Sequence, residues 1–288
     1  MTVGDVLDRS IQLYRTNLLK FIGIVLLIKG PYLIFVYIFS RFAVSSFTEE
    51  ITHSVAAGEV QMVDYLVAAI FSLIVALLDL LFISPVLIAA MTMAISERFL
   101  NRDIGIMEAY GRILKRFFPL LGTILLSSIV ISSGFILGLL LLTFTPPLAA
   151  IVFLAAPFIA CVLWVWYAFI SQTVVIEGEG GLGAMKRSKS LVEGYFWKTF
   201  ALLILIVIAF LLIESLVSYG IGRSLFFLGQ KGSLLGEGTS NVIKVLLEPF
   251  RIAAVTLLYY DLRIRKEGFD LEMMAKEMDS EAKDDYNR

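Results

Sequence analysis

Charge is scarce in this chain. Only 17% of its 288 residues are charged, and 59% are apolar or aromatic, whereas an ordinary soluble domain has about 25% charged and about 45–50% apolar residues. The 24 basic and 25 acidic residues give a net charge of −1, so the sequence lacks the clustered positive field that binds nucleic acid. These shortages exclude a water-soluble globule and predict no nucleic-acid partner.

Cysteine and histidine occur once each, as Cys161 and His53. A disulfide within the chain needs two cysteines, and a structural zinc site needs several nitrogen or sulfur ligands. A hydrolase triad cannot be built around one histidine that lies in a different compartment from most of the polar residues. We therefore predict no catalytic residues, no metal site and no cofactor, which indicates a protein that is not an enzyme.

Long apolar runs dominate what is present. Residues 117–176 contain no Asp, Glu, Lys, Arg or His, and one membrane span needs roughly 20 apolar residues, so this run predicts two helices joined at Thr145-Pro146-Pro147. We place them at about 120–143 and 148–173. The same reasoning predicts four further spans: Leu18–Ser40, Asp64–Ser96, Phe200–Ile221 and Val242–Tyr260. The sequence thus predicts an all-α integral membrane protein with six transmembrane helices.

Two local features refine this scheme. The second span is too long to cross the hydrocarbon core as a straight helix perpendicular to it, so we expect a bend at Pro85. The charge-free middle hairpin carries Gly134 and Gly138 in GxxxG spacing, and small residues allow membrane helices to approach closely. We expect these glycines to form a packing seam.

Lysine and arginine are distributed very unevenly among the predicted loops. Eighteen of the 24 lie on one side of the membrane and three on the other, with the remaining three within spans. An excess of Lys and Arg in loops stays cytoplasmic. The sequence therefore predicts a multi-pass protein of the prokaryotic cytoplasmic membrane with both termini in the cytoplasm.

An amphipathic pattern precedes each span that runs outward from this basic side. The three segments are Val3–Arg15, Ile104–Leu114 and Leu182–Leu191. They predict three repeats of about 1–96, 97–176 and 177–265, each an amphipathic cytoplasmic helix followed by a transmembrane hairpin. Residues 266–288 form a cytoplasmic tail beyond the membrane domain of residues 1–265. Such helices either lie in the headgroup plane or pack beneath the bundle.

Six charged residues lie within the predicted spans: Lys29, Asp79, Glu214, Lys244, Glu248 and Arg251. A charge at mid-membrane costs roughly 2.5–3.5 kcal/mol on insertion scales, so it usually has a partner or lines a wet cavity. Lys29 and Asp79 lie at similar depth in neighbouring helices, and we predict that they form an ion pair. The i, i+4, i+7 spacing of Lys244, Glu248 and Arg251 permits pairing along one face, which Glu214 can join. The pairs either hold hairpins together or form a polar path.

Five cations at the predicted inner interface form a second candidate set: Arg9, Arg187, Arg263, Arg265 and Lys266. Basic residues at this level attract anionic lipid headgroups. We therefore predict that they contact membrane lipid.

The end of the chain resembles a known family. Leu258–Leu271, the opening Gly4–Ser10 and the Lys186-Arg187-Ser188 helix resemble the glycerophosphoryl diester phosphodiesterase membrane domain family. The resemblance implies a stand-alone membrane bundle, accessory to lipid or envelope processes. Phosphodiesterase activity in that family belongs to a separate catalytic domain with an early His-Arg pair, and here His53 is followed by Ser54, so the resemblance does not imply that activity.

Two functions remain open on the sequence. The first is a non-enzymatic scaffold or accessory subunit that interacts with membrane lipid, with another membrane protein or with a second copy of itself. The alternative is a transporter or permease for a small or amphiphilic solute, in which the charged residues within the spans line a polar cleft.

Overall fold

The computed structural model describes residues 11–56, 62–100, 102–225 and 229–268, and within these ranges the chain is helical and has no strands. Residues 11–16 form a helical segment that turns at Asn17 into the first long helix. The main helices are α1 (Leu18–Ala56), α2 (Met62–Leu78), α3 (Ser84–Phe99), α4 (Ile106–Leu114), α5 (Phe117–Phe144), α6 (Pro146–Trp166), α7 (Gly181–Val192), α8 (Phe196–Leu225) and α9 (Gly229–Glu267).

The protein is a multi-pass helical membrane protein. Five helical stretches of the described residues are long and apolar enough to cross a membrane: Leu18–Ile38, Ala69–Phe99, Phe117–Phe144, Pro146–Glu177 and Phe196–Ile221. They correspond to five of the six predicted spans. The sixth prediction, Val242–Tyr260, falls within α9 and is not among the five, because Lys244, Glu248 and Arg251 make this stretch far more polar than the others.

The outward faces of the span helices are apolar. Leu154 and Phe158 on α6 are 74% and 72% exposed, and many large apolar side chains of the other span helices are exposed as well. Monomeric soluble proteins rarely expose contiguous apolar surface of this extent. The exposed faces therefore suit contact with lipid tails.

The α5–α6 hairpin forms where the sequence predicts it. Thr145 ends α5 by donating its amide to the Leu141 carbonyl, and α6 begins at Pro146. A Cβ at Gly134 would lie 3.1 Å from the Cβ of Ala156, and one at Gly138 would lie 3.1 Å from the Phe153 ring. Both glycines therefore allow the close approach of α5 and α6.

The long second span contains a π-helical segment, Asp79–Ile83, immediately before α3. Pro85 is the second residue of α3 and has no amide hydrogen to donate to the preceding turn. The irregularity expected at Pro85 therefore takes the form of a π-helical segment on its N-terminal side. A second π-helical segment, Thr173–Glu177, ends the α6 span.

Helix α9 contributes much of the core although it is the most polar of the long helices. Most of its residues from Ile252 to Leu262 are buried. It packs along α8, where the Phe210 and Phe250 ring centroids are 5.4 Å apart, and along α3, where Phe99 stacks on Tyr260 at 4.4 Å. The buried stretch follows the charged stretch of α9, in which Glu248 is buried whereas Lys244 and Arg251 are exposed.

The two short helices α4 and α7 pack beneath one end of the bundle. The Tyr110 hydroxyl of α4 donates to the Ile24 carbonyl at 2.5 Å, and the Ser188 hydroxyl of α7 donates to the Trp166 carbonyl at 2.7 Å. Both helices lie where amphipathic segments are predicted. Of the two alternatives for them, packing beneath the bundle is present in the structure, and contact of their outer faces with headgroups stays a prediction.

Candidate functional site

An ion cluster joins α1 to α9 within the apolar part of the bundle. The Lys29 ammonium donates to Oε2 of Glu248, and Nη2 of Arg251 lies 3.5 Å from Oε1 of the same carboxylate. The Glu248 side chain is only 9% exposed and that of Lys29 17%. We call Lys29, Glu248 and Arg251 the intramembrane cluster. Because both carboxylate oxygens have cationic partners, Glu248 is stabilised where an unpaired charge would be costly.

The predicted ion pair between Lys29 and Asp79 is wrong. Lys29 pairs with Glu248 instead, and Asp79 Oδ2 accepts a hydrogen bond from the Ser84 hydroxyl at 2.8 Å. The prediction used depth within one hairpin. In the folded protein α9 also packs against α1, so the nearest carboxylate to Lys29 comes from a helix more than 200 residues away in sequence.

The other predicted charges within the spans are less closely engaged. Of the two pairings that the spacing permits, the structure has Glu248–Arg251. Lys244 is exposed on α9 and Glu214 is half-buried on α8. Within the described ranges neither side chain forms an ion pair. The spacing of charges along one helix therefore identifies part of the cluster only.

The N-terminal helical segment contacts α9 beside this cluster. The Tyr14 hydroxyl donates to the Leu246 carbonyl at 2.8 Å, and its ring centroid lies 6.2 Å from that of Phe250. Pro249 lies between these two positions on α9 and has no amide hydrogen to donate to the preceding turn. Tyr14 therefore holds the N-terminal segment against the stretch of α9 that proline interrupts.

A second polar cluster lies at the end of the bundle beneath which α4 and α7 pack. Glu177, the last residue of the π-helical segment, accepts hydrogen bonds from Arg187 Nε at 2.6 Å and Nη2 at 3.1 Å, and from the Tyr259 hydroxyl. Arg263 Nε lies 3.8 Å from Oε1 of Glu177. This set, the Glu177 network, ties the end of the α6 span to α7 and α9. The sequence singled out both arginines but not Glu177.

Glu267 extends the network at the end of α9. It accepts hydrogen bonds from Arg187 and, at 3.3 Å, from Arg263 Nε. The bond from Arg187 holds the pKa of the Glu267 carboxyl below its ordinary value, and the bond to Glu267 in turn raises the pKa of Arg187. The charged forms of both groups are therefore favoured.

Asp261 anchors the same end of α9 to the start of α8. Lys198 Nζ lies 2.8 Å and Arg265 Nε 3.0 Å from its carboxylate, whose side chain is only 3% exposed. Burial acts to raise the pKa of Asp261, but hydrogen bonds to the carboxylate, those from Lys198 and Arg265 among them, outweigh it and the pKa is lowered. Lys266 donates to the carbonyls of Ser190 and Glu193, the latter at 2.8 Å.

Four of the five cations predicted to face lipid are thus bound to acceptors of the protein itself: Arg187, Arg263, Arg265 and Lys266. Arg9 lies outside the described residues. Contact of this set with headgroups stays a prediction, and the structure assigns the four cations a role in holding the ends of the helices together.

An open groove lies between the N-terminal segment, the end of α3 and α9. It encloses about 330 Å³ and is lined by Gln12, Leu13, Thr16, Arg98, Phe99 and Leu257. Arg98 and Lys20 share one carboxylate, that of Asp103, at 3.2 Å and 2.5 Å. Hydrogen bonding from Lys20 lowers the pKa of Asp103. No pattern in the sequence indicates a contact between Arg98 and Asp103, because their spacing is not one that brings side chains together on a helix.

The metal-ligating and thiol side chains of the described residues are not gathered into a cluster. Across residues 11–56, 62–100, 102–225 and 229–268, no group of three or more His, Cys, Asp or Glu side chains is placed to hold a metal ion. Cys161 is a half-buried free thiol in the charge-free α6 helix. The polar groups in the described chain are arranged mainly as ion pairs and hydrogen bonds between helices.

The comparison with protein families gives one match. A model described as a domain of unknown function, DUF7847, matches residues 92–262, which is more than half of the chain. The matched range runs from α3 into α9 and includes Glu177, Glu248 and Asp261. The match does not name the glycerophosphoryl diester phosphodiesterase membrane domain. No curated protein and no solved structure matches the chain.

Proposed function

This chain belongs to the DUF7847 family of domains of unknown function, and on that premise we propose that it is a membrane scaffold or accessory subunit. In this role it interacts with membrane lipid or a partner protein and catalyses no reaction. The resemblance to the glycerophosphoryl diester phosphodiesterase membrane domain, considered without its catalytic domain, is consistent with an accessory role in lipid or envelope processes.

The main support for the proposal is that Lys29 and Arg251 of the same chain already bind the Glu248 carboxylate. A solute path needs charged groups that are free to bind cargo, but both oxygens of this buried carboxylate contact cations of the same chain. The Asp79 carboxylate likewise accepts a hydrogen bond from Ser84. The Lys29–Glu248 contact holds α1 to α9, which favours a static bundle that presents surfaces to other molecules.

The proposal includes a topology of six spans, with α9 as the last crossing. Support comes from the antiparallel packing of α8 and α9: Ile221 lies near Gly236, Phe210 contacts Phe250, and Lys198 binds Asp261. The threefold repeat is part of the same proposal. The proposal also assigns the end that carries the Glu177 network, with both termini, to the cytoplasm of a prokaryotic cell, and the excess of Lys and Arg at this end supports that orientation.

A thiol-accessibility experiment tests the proposal. In a Cys161→Ala background, single cysteines at Lys29 and Arg251 are treated with a charged, membrane-impermeant maleimide, applied in turn to each face of the membrane. We expect both positions to be as unreactive as a lipid-facing Leu154→Cys control. An Arg102→Cys control, at an exposed position between α3 and α4, should react from one face. Reaction at positions 29 and 251 at the Arg102→Cys rate would contradict the proposal.

A partner or lipid should also accompany the protein. Purification in mild detergent, followed by mass spectrometry, is expected to recover a co-purifying membrane protein or a specifically retained lipid. A chain that carries neither, while retaining its fold, would contradict a scaffold role.

A transporter for a small or amphiphilic solute is the second candidate, and two observations favour it. The Arg251 side chain is 50% exposed although it lies within the predicted sixth span. The hydroxyls of Thr92 and Thr256 are buried and have no hydrogen-bond partner among the described residues, and buried polar groups usually have one. A polar cleft would satisfy these groups, and labelling at positions 29 and 251 is the result that would favour it.

A further inference from the structure

The groove at Arg98 combines a cationic wall with an apolar floor. Arg98 lies in the last turn of α3, and its side chain is 30% exposed. The floor is formed by Leu13, Phe99 and Leu257, and the Phe99 ring is held by stacking on Tyr260 at 4.4 Å. Gln12 and Thr16 add polar groups at the rim. A ligand that fits this lining has an anionic head and an apolar body.

Two cations lie beside one carboxylate at the groove. Arg98, which lines the groove, and Lys20, which lies next to it, share the carboxylate of Asp103, which is 63% exposed. Arg112 in turn pairs with both Glu97 at 2.9 Å and Glu108 at 2.6 Å, so among the described residues around the groove the pairing of two cations with one carboxylate is local to Asp103. At this point a phosphate can accept hydrogen bonds from guanidinium and ammonium groups together.

The depth of the groove matches that of lipid headgroups. The Ala69–Phe99 span ends at Phe99, and the Leu18–Ile38 span begins two residues after Thr16. Groups at the ends of spans lie at the interface between hydrocarbon and water. Arg98 is thus at headgroup level, next to the apolar side chains of Leu13, Phe99 and Leu257.

From this placement we propose that the groove binds the headgroup of one anionic phospholipid, with the phosphate at Arg98 and Lys20 and the start of an acyl chain against Leu13 and Leu257. The inference rests on the proposed function, because it names lipid as a molecule that the scaffold holds. It differs from the lipid contact predicted from the sequence, since Arg98 and Lys20 are outside that set of cations.

The test uses the full chain, purified in mild detergent with phosphatidylglycerol or phosphatidylcholine, and native mass spectrometry to measure retained lipid. We expect preferential retention of phosphatidylglycerol. Arg98→Gln is expected to weaken it about tenfold, because a charge-assisted hydrogen bond is lost. The matched control is Arg102→Gln, an exposed loop cation that does not line the groove, and it should retain the wild-type level. Equal effects of the two substitutions would overturn the inference.

Two further variants separate binding from folding. Thr16→Trp fills the groove from its exposed side while leaving the contact between Arg98 and Asp103 in place, and it is expected to displace the lipid without changing the thermal unfolding midpoint. Asp103→Asn releases both cations from their carboxylate and should increase retention of phosphatidylglycerol. A decrease with Asp103→Asn, or full retention with Thr16→Trp, would contradict a headgroup site.

Competition with inorganic phosphate shows whether the groove binds a phospholipid or free phosphate. Cysteine labelling at positions 29 and 251 tests the scaffold proposal separately from the lipid site. Inorganic phosphate at the same concentration should not displace phosphatidylglycerol, since it cannot use the apolar floor; displacement would overturn the assignment to a phospholipid. If Arg98→Gln has no effect while Lys29→Cys and Arg251→Cys stay unlabelled, the lipid site is wrong and the scaffold proposal stands. Labelling of those two cysteines would contradict the scaffold proposal whatever the lipid result.

Discussion

Replacement of Lys29 by methionine should destabilise the bundle strongly. The substitution removes the ammonium that faces Glu248, whose side chain is 9% exposed, and it leaves the carboxylate with Arg251 at 3.5 Å as its remaining cationic partner. Breaking a buried ion pair by removing one partner costs about 3–5 kcal/mol. Because Arg251 still compensates part of the charge, we expect the lower end, a loss of about 3 kcal/mol in the free energy of unfolding.

The assay is unfolding by sodium dodecyl sulfate in mixed micelles, followed by the fluorescence of the three tryptophans. Lys244→Met is the matched control, since it makes the same chemical change on an exposed lysine of α9. A surface substitution of this kind is expected to change stability by no more than about 0.5 kcal/mol. The double variant Lys29→Met with Glu248→Gln removes both charges and should be more stable than Lys29→Met alone.

Either of two results would show that the intramembrane cluster does not stabilise the protein. One is a Lys29→Met variant that is no less stable than Lys244→Met. The other is a double variant whose loss of stability is the sum of the two single losses, because additive effects mean that the side chains do not interact.

Three other predictions concern the packing seam and the Glu177 network. Gly138→Leu should destabilise the α5–α6 hairpin by about 1–3 kcal/mol through overpacking against α6, whereas Gly122→Leu, where a Cβ meets nothing within 4 Å, should be near neutral in the same unfolding assay. Glu177→Gln should cost about 2 kcal/mol, since it weakens hydrogen bonds to charged groups, and should speed amide hydrogen exchange in α7, while the exposed Glu179→Gln should do neither. The pKa of Glu267 is lowered in the folded protein, so this carboxylate contributes its full stabilisation above its ordinary pKa of 4.5. The contribution is lost as the pH falls through the lower pKa of the folded state. Glu267→Gln should therefore lose less stability on acidification than the wild type in an unfolding series, and an unchanged pH profile would contradict this.

The apolar pattern predicts the helices well because it reflects a requirement of each segment separately. A backbone in hydrocarbon must satisfy its hydrogen bonds internally, so roughly 20 apolar residues suffice to predict a span wherever they occur. The hairpin turn at Thr145-Pro146-Pro147 and the seam at Gly134 and Gly138 follow from equally local chemistry. Five spans and both short helices between α3 and α8 were predictable in this way.

The partners of the charged residues were not predictable from the same information. Glu248 reaches Lys29 across 219 positions of sequence, and the contact depends on which helices are neighbours in the bundle. Depth in the membrane constrains a pair but does not choose between Asp79 and Glu248. The role of Glu177 was not predictable either, because a single glutamate at the end of a span does not indicate which distant helices it contacts.

The predicted sixth span shows that packing inside the bundle and contact with lipid place different requirements on the composition of a helix. A helix that lies inside the bundle can carry charge that lipid-facing helices cannot, because its polar groups pair with those of its neighbours. Lys244, Glu248 and Arg251 lower the average apolarity of α9, and the pairing of Glu248 with Lys29 and Arg251 allows that carboxylate to be buried. Composition alone therefore gives a weaker indication of a span for α9 than for helices that carry no such charges.

The position of the start of α9 tests the account most directly, because the intramembrane cluster, the Glu177 network and the lipid groove all depend on a sixth crossing. In a Cys161→Ala background, single cysteines at Arg102, Thr145 and Asn241 are labelled from each face of the membrane. We expect Asn241→Cys to react from the same face as Thr145→Cys, and Arg102→Cys to react from the opposite, cytoplasmic face. Labelling of Asn241→Cys from the Arg102→Cys face would contradict it.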